Sequence, residues 1–179
     1  MRISSLLLFL LALCSHANAR IGETESECNA RYGPPKRGAS IVPGCQTNEY
    51  DYHGFKIKIA FPGPNNPAIK MIFTKSPILV LKEDEVAAIL NANTKEGMQW
   101  KRVASELGAT KQSDPFTRVA AAYIASSVGA RSWVRNDGVT AELEVTKTVV
   151  TLESPESVVR KKRAKDEEEA SRKAAIPNF

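Results

Sequence analysis

Beyond Tyr50 the chain alternates with a period of two. Phe55, Ile57, Ile59 and Phe61 fall on one side and Lys56, Lys58 and Ala60 on the other, which predicts a strand with one buried face. His53-Gly54 marks a turn just before it, and Pro62 to Pro67 is a dense turn signal after it. Ile69, Met71 and Phe73 then alternate with Lys70, Ile72 and Thr74, so three antiparallel strands in a meander are expected. A second hairpin is predicted around the turn Asn136-Asp137-Gly138: Trp133-Val134-Arg135 lead into it, and Val139, Ala141, Leu143 and Val145 alternate with Thr140, Glu142 and Glu144 after it. Thr148 to Leu152 reads as a last strand.

Helical spacing fills the intervals. Thr24 with Glu27 has the form of a capping box, and Gly33-Pro34-Pro35 is a stop, which predicts a short helix over roughly residues 24 to 32 with Cys28 and Tyr32 on its inner face. Pro34 to Thr47, rich in Pro and Gly and basic at Lys36 and Arg37, reads as a loop. Glu83, Asp84 and Glu85 favour the start of a second helix, whose stripe is Val86, Ile89, Leu90 and Asn93; Trp100 and Val103 extend or follow it. A third helix is expected from Asp114 as cap to Gly129 past its end, with Phe116, Val119, Ala120, Tyr123 and Ile124 on one face. The pattern is of the α+β class: an antiparallel sheet from two strand meanders, helices packed on one face, and a charged C-terminal helical tail. The recurrence of helix plus meander points to a distant duplication without a residue-level repeat.

The two ends of the chain differ from this middle. Arg2, the apolar run Leu6 to Leu13 and Ala17-Asn18-Ala19 form the pattern of a cleaved signal peptide over residues 1–19, and the run is too short for a bilayer-spanning anchor. Cys14 is discarded with it, because Leu13 stands where a lipoprotein signal requires a small residue. Cleavage before Arg20 leaves about 160 residues, the size of one domain, assigned to residues 20–153. Residues 154–179 read as a charged solvated helix or a disordered tail, with opposite charges at helical separation such as Glu156 with Arg160, Arg163 with Glu167 and Glu169 with Lys173. Its basic run, Arg160, Lys161, Lys162, Arg163 and Lys165, offers contact to a partner or an anionic surface.

Export changes the reading of the sulfurs. Only Cys28 and Cys45 remain after cleavage, and in an oxidising compartment an even pair is read most simply as a disulfide, with about 3 kcal/mol from closing so short a loop. Two separate thiols, with Cys28 packed as a small hydrophobe, are the alternative. Net charge falls from +5 to +4 with the loss of Arg2; so small an excess gives no expectation of a nucleic-acid partner and only weak attraction to anionic surfaces.

Candidate chemistry is sparse. His53 is the single histidine of the mature chain, which excludes a multi-histidine metal centre and leaves no ready hydrolytic triad. A Cys28/His53 nucleophile pair requires a free Cys28. Gly22, Gly33, Gly38 and Gly44 lack the setting of a phosphate-cradling loop, and the carboxylates of Glu83 to Glu85 and Asp166 to Glu169 are expected to be solvated. Trp100, Trp133, Tyr123 and Tyr32 serve either the core or a binding groove. No catalytic residue, metal ligand or cofactor is assigned.

The run from Ile21 to Pro35, with Gly22-Glu23-Thr24 near its start and Arg31-Tyr32-Gly33 near its end, resembles the opening of uncharacterised exported bacterial proteins that carry an "IGET…RYG" signature. Tyr52 to Phe61 and Leu81 to Leu90 look similar to the meander and helix that follow there, with Lys82 in place of a capping Ser. More remotely, Gly22, Thr24, Glu27, Cys28, Tyr32, Gly33 and Pro35 fall at the spacing of the helix-opening motif in outer-membrane-assembly lipoproteins of the SmpA/OmlA type, without the lipidation site. The motif is a capped helix ending in a glycine turn, so the resemblance implies a periplasmic or secreted α+β module and no catalytic residue. The expectation is an exported non-enzymatic binding module of the envelope, its partner another envelope protein or an anionic envelope surface; the alternative is a small secreted hydrolase or enzyme inhibitor.

Overall fold

The computed structural model describes residues 20–75, 79–103, 131–144, 146 and 148–174. The predicted signal segment, the predicted helix over 114–129 and Val145 lie outside the described residues. In chain order the elements are α1 (Glu25–Tyr32), β1 (Lys36–Arg37), β2 (Gln46–Tyr52), β3 (Phe55–Phe61), β4 (Lys70–Lys75), α2 (Glu83–Ala92), β5 (Trp100–Val103), β6 (Arg131–Arg135), β7 (Thr140–Leu143), β8 (Val149–Glu153) and α3 (Pro155–Ala174). The fold is of the α+β class, with the strands in one antiparallel sheet of order β1-β2-β3-β4-β8-β7-β6-β5.

Two four-stranded meanders meet at β4 and β8, where Met71 pairs with Leu152 and Phe73 with Val150. The order reads alike from either edge once the second meander is renumbered, and a helix, α1 or α2, precedes each meander. The topology therefore has an approximate twofold through the β4–β8 seam. Because side chains alternate along each strand, Ile57, Ile59, Phe61, Met71, Phe73, Val150 and Leu152 form one buried face, and they share a single apolar cluster with Cys28, Val86, Ile89 and Leu90 from α1 and α2.

The other face mixes charged and hydroxyl side chains with Ile72, Val134 and Val149, and at one corner Val42, Cys45, Ala60 and Ile69 form a second cluster. α3 begins there. Its 20 residues span about 30 Å, and the first two turns are docked on the sheet: Ser157 is fully buried, the Ser157 hydroxyl donates to Glu153, and Lys161 donates to Glu153 at 2.8 Å. Lys70, the strand partner of Glu153, lies within 3.7 Å of the same carboxylate. The predicted solvated tail is thus a helix with an anchored start; Glu167 and Lys173, further along, are exposed and pair within the helix.

Two boundaries differ from the sequence reading. Pro34 to Thr47 holds the two-residue strand β1 and the start of β2, because Lys36 and Arg37 find register partners in Glu49 and Asn48. Trp100 to Val103 is the edge strand β5, paired with β6. The pattern Trp-Lys-Arg-Val is too short to separate strand from helix, and pairing decides it.

The expected bridge between Cys28 and Cys45 is not formed. Both are free, buried thiols. Cys28 sits on α1 in the main cluster, and Cys45 packs in the second cluster on the far side of the sheet near Glu156 and Arg160. The sheet separates them, and sequence spacing does not register that.

Burial alone would raise the carboxyl pKa of Glu153, but hydrogen bonds from Lys161 and Ser157 and the charge of Lys70 bring it below the usual carboxylate value. An unfolded glutamate titrates near about 4.3, so this stabilisation is complete above that pH and is lost as pH falls through the lower folded value. Glu153→Gln is expected to lose about 1–3 kcal/mol at pH 7 and to show a smaller further loss on acidification. Thermal melts of both proteins from pH 7 to 3 check this, and parallel pH curves would contradict it.

Candidate functional site

α1 carries little apolar surface, and Cys28 is its one buried residue. Polar bonds seat it. Glu25 accepts from the side-chain amides of Gln46 at 3.0 Å and Asn48 at 2.9 Å, and Asn29 accepts from the Tyr50 hydroxyl at 2.8 Å. Its capping box is formed as the sequence predicts, and the Thr24 backbone N–H and hydroxyl on Glu27 lower that carboxyl's pKa.

α2 is held from three directions. Glu85 binds Lys75 of β4 and accepts from the Lys82 backbone N–H, contacts that keep its carboxyl below the ordinary range. Glu83 binds Arg131 of β6 through both guanidinium nitrogens. At its C-terminal end the buried Asn93 accepts from the Ile21 backbone N–H at 2.8 Å and donates to the Ile89 carbonyl at 2.8 Å, while its own carbonyl accepts from Arg135. Arg135 is buried too, paired with Asp137 and stacked 5.4 Å from the Trp100 ring centroid. Of the carboxylates expected to be solvated at the start of α2, Glu83 and Asp84 are exposed and Glu85 is half-buried, and Glu83 and Glu85 are also ion-paired.

Between these two helices and the β2–β3 hairpin lies a cavity of about 250 Å³. Tyr32 and Arg31 of α1, Tyr52, His53, Phe55 and Ile57 of the hairpin, Phe73 of β4, and Glu85, Ala88, Ile89 and Ala92 of α2 line it, with Asn93 at the helix end. The rings at its edge interlock: Tyr32 meets Tyr52 edge to face at 5.1 Å and Tyr50 at 5.3 Å, and Tyr52 meets His53 at 4.2 Å. Burial pushes the Tyr50 phenol up to about 12 and raises Tyr32 as well; both are neutral hydrogen-bonding groups at physiological pH.

His53 and Gly54 form the two-residue turn, with φ of 47° and 81°. Both are left-handed, the geometry of a type I′ hairpin, for which Asn-Gly is the favoured pair. A histidine there carries backbone strain of roughly 1–2 kcal/mol, and strain of that kind concentrates at functional positions.

Two buried side-chain nitrogens among the described residues lack a partner, the Nε of Arg20 and the Nε of Arg31. Arg31 is 12% exposed and its Nη1 pairs with Glu23 at 2.5 Å, but its Nε is buried with no hydrogen-bond partner among the described residues. A buried donor left so costs about 1–3 kcal/mol.

The residues singled out from sequence are dispersed. Cys28 is completely buried, and burial pushes its thiol up to about 12; burial raises Cys45 as well. Nucleophilic chemistry needs the thiolate, and His53 is exposed at a hairpin tip, so the two do not form an activated pair. In the basic run, Arg160 pairs with Glu156, Lys161 with Glu153 and Arg163 with Glu167, whereas Lys162 and Lys165 are exposed without an ion-pair partner among the described residues. Trp100 and Trp133 pack against the core, Tyr32 lines the cavity, and Tyr123 lies outside the described residues. Sequence reasoning missed Tyr52, Phe55, Ala88 and Arg31 as site residues. The signal available was the aromatic cluster about the His53-Gly54 turn.

No group of three or more His, Cys, Asp or Glu that could hold a metal ion is found among the described residues, and no helix among them is long and apolar enough to cross a membrane. No family model, curated protein or solved structure matches the chain.

The thiol chemistry gives a direct expectation. Native protein should react with a thiol reagent at pH 8 at least tenfold more slowly than denatured protein, in which Cys28 and Cys45 should both titrate as free thiols. An intact mass lower by two hydrogens would contradict it.

Proposed function

We propose that the chain is an exported, non-enzymatic binding module of the bacterial envelope, periplasmic or secreted, and that its binding site is the cavity between α1, α2 and the β2–β3 hairpin. The observation that carries the reading is the cavity itself: apolar and aromatic walls with few polar groups, the ordinary make-up of a small-molecule or side-chain pocket. An engineered cavity of roughly 150 Å³ holds benzene, so about 250 Å³ is room for one or two rings.

Three further observations support binding over catalysis. The Cys28 thiol is buried and protonated at neutral pH. Glu85 is occupied by Lys75 and the α2 cap, and the Asn93 side chain by Ile21 and Ile89. The basic run of α3 is a weaker entry point, since three of its five members are engaged by Glu153, Glu156 and Glu167. Export rests on the signal pattern of residues 1–19.

Ala88 is exposed and lines the cavity, so a larger side chain there fills the space without disturbing the core. Ala88→Phe should leave stability within about 0.5 kcal/mol of wild type and weaken binding of indole, followed by ligand-observed NMR, at least tenfold. Equal binding by both proteins would exclude the cavity. For export, the purified protein should begin at Arg20 and come from the periplasmic or culture fraction; soluble cytosolic protein retaining Met1 would overturn that part.

A further inference from the structure

We propose that α3 is a self-association helix: its outer half lies antiparallel in the groove between α3 and the Pro43–Gly44 corner of a second copy, so that two chains pair about a twofold near Ala164. The first turns of α3 are docked through Ser157 and Lys161 on Glu153, but from Lys162 to Ala174 every residue except Ala164 and Ala170 is exposed. The helix supplies no member of either apolar cluster. A helix polar on all sides is held by its own ion pairs or by bridging to another body, and the order of its charges says which body fits.

Those charges come in blocks: Glu156, then Arg160 to Arg163, then Asp166 to Glu169, then Arg172 and Lys173. Laid antiparallel on itself about the midpoint between Ala164 and Lys165, the run sets Glu156 opposite Lys173, Arg160 opposite Glu169, Lys161 opposite Glu168, Lys162 opposite Glu167 and Arg163 opposite Asp166. No like charges are opposed anywhere between Glu156 and Lys173. A parallel pair would set each block against its own copy, which is repulsive. The groove, of about 470 Å³, has Val159, Arg160, Arg163 and Ala164 on one wall and Pro43 and Gly44 on the other, and Ala170, Ser171 and Ala174 continue the helix face at helical spacing. In the antiparallel register Ala170 and Ser171 of the second copy come to Val159, which is 66% exposed. They lie there beside Gly44, where no atom is within 4 Å of the place a side chain would start. Arg163 and Glu167 form an exposed pair within one helix. Near the twofold they meet their counterparts, and the charges alternate in a ring. Exposed ion pairs are weak singly and count as networks, so the dimer is weak and sensitive to salt.

Sedimentation equilibrium of the purified protein at about 50 mM salt should show monomer and dimer in exchange, with a dissociation constant on the order of 10–100 µM that rises at least fivefold at about 500 mM salt. Arg163→Glu and Glu167→Arg should each abolish the dimer, because either homodimer then opposes like charges at both ends of the ring. Each should melt at the wild-type temperature, since the pair it breaks is exposed. An equimolar mixture of the two variants should dimerise again, because every pair across the twofold is then opposite in sign. A monomer at every concentration would overturn the proposal, as would a dimer that neither variant weakens, which must use another surface. Loss of the dimer in both variants without recovery in the mixture would overturn the antiparallel pairing. A monomer that pellets with vesicles of anionic phospholipid would overturn it in favour of a lipid surface.

Discussion

The placement of α1 depends on a hydrogen-bonded plate and very little on hydrophobic burial. One carboxylate, Glu25, accepts from two amides on β2, and Asn29 accepts from Tyr50 on the same strand. Asn48 is fully buried, so sliding α1 along the sheet would strand a desolvated amide and a carboxylate together. A helix seated by apolar contacts could shift to close a gap beside it. This one is pinned, and α2 is pinned separately by Lys75, Arg131 and the Asn93 bonds. The space between the two helices is therefore a fixed feature of the fold, walled below by Ile57 and Phe73 and at the side by the β2–β3 hairpin.

The same separation of tasks runs through the sheet. Its apolar face supplies the core and the floor of the cavity; its other face docks the first turns of α3 through Glu153. Arg135 links the second meander to α2 by donating to the Asn93 carbonyl, and Asn93 in turn receives the Ile21 N–H. A buried guanidinium of this kind is tolerable because Asp137, Asn93 and the Trp100 ring surround it, and the Arg135 contact lowers the Asp137 carboxyl below its ordinary value. The backbone at Ile21, one helix end and a distant hairpin thus meet at two polar side chains.

Much of the fold was legible because its signals are local. Period-two alternation located β3, β4 and β7, the Thr24/Glu27 box located α1, and the Asn136-Asp137-Gly138 turn located the second hairpin. β1 and β5 were not legible: two and four residues carry no decisive period, and strand pairing alone defines them. The cysteines misled for a related reason. Spacing and the expected compartment argue for a bridge, but which side of a sheet each sulfur occupies is a property of the folded chain. The cavity was less legible still. Tyr32 was recognised as an inward-facing aromatic, yet its neighbours Phe55 and Phe73 read as ordinary core positions and Arg31 drew no structural reading at all. They become a site only because α1 and α2 stop short of each other, a consequence of the polar plate and not of any motif.

The central claim is that this fixed gap is where the protein binds. Two-dimensional NMR of the isotope-labelled protein against a library of small aromatic fragments tests it most directly. The account predicts that shifts and intermolecular contacts converge on Tyr32, Tyr52, Phe55, Ala88 and Ile89. Fragment contacts that cluster elsewhere, such as the groove between Gly44 and Arg163 of α3, with the cavity residues unmoved, would contradict it.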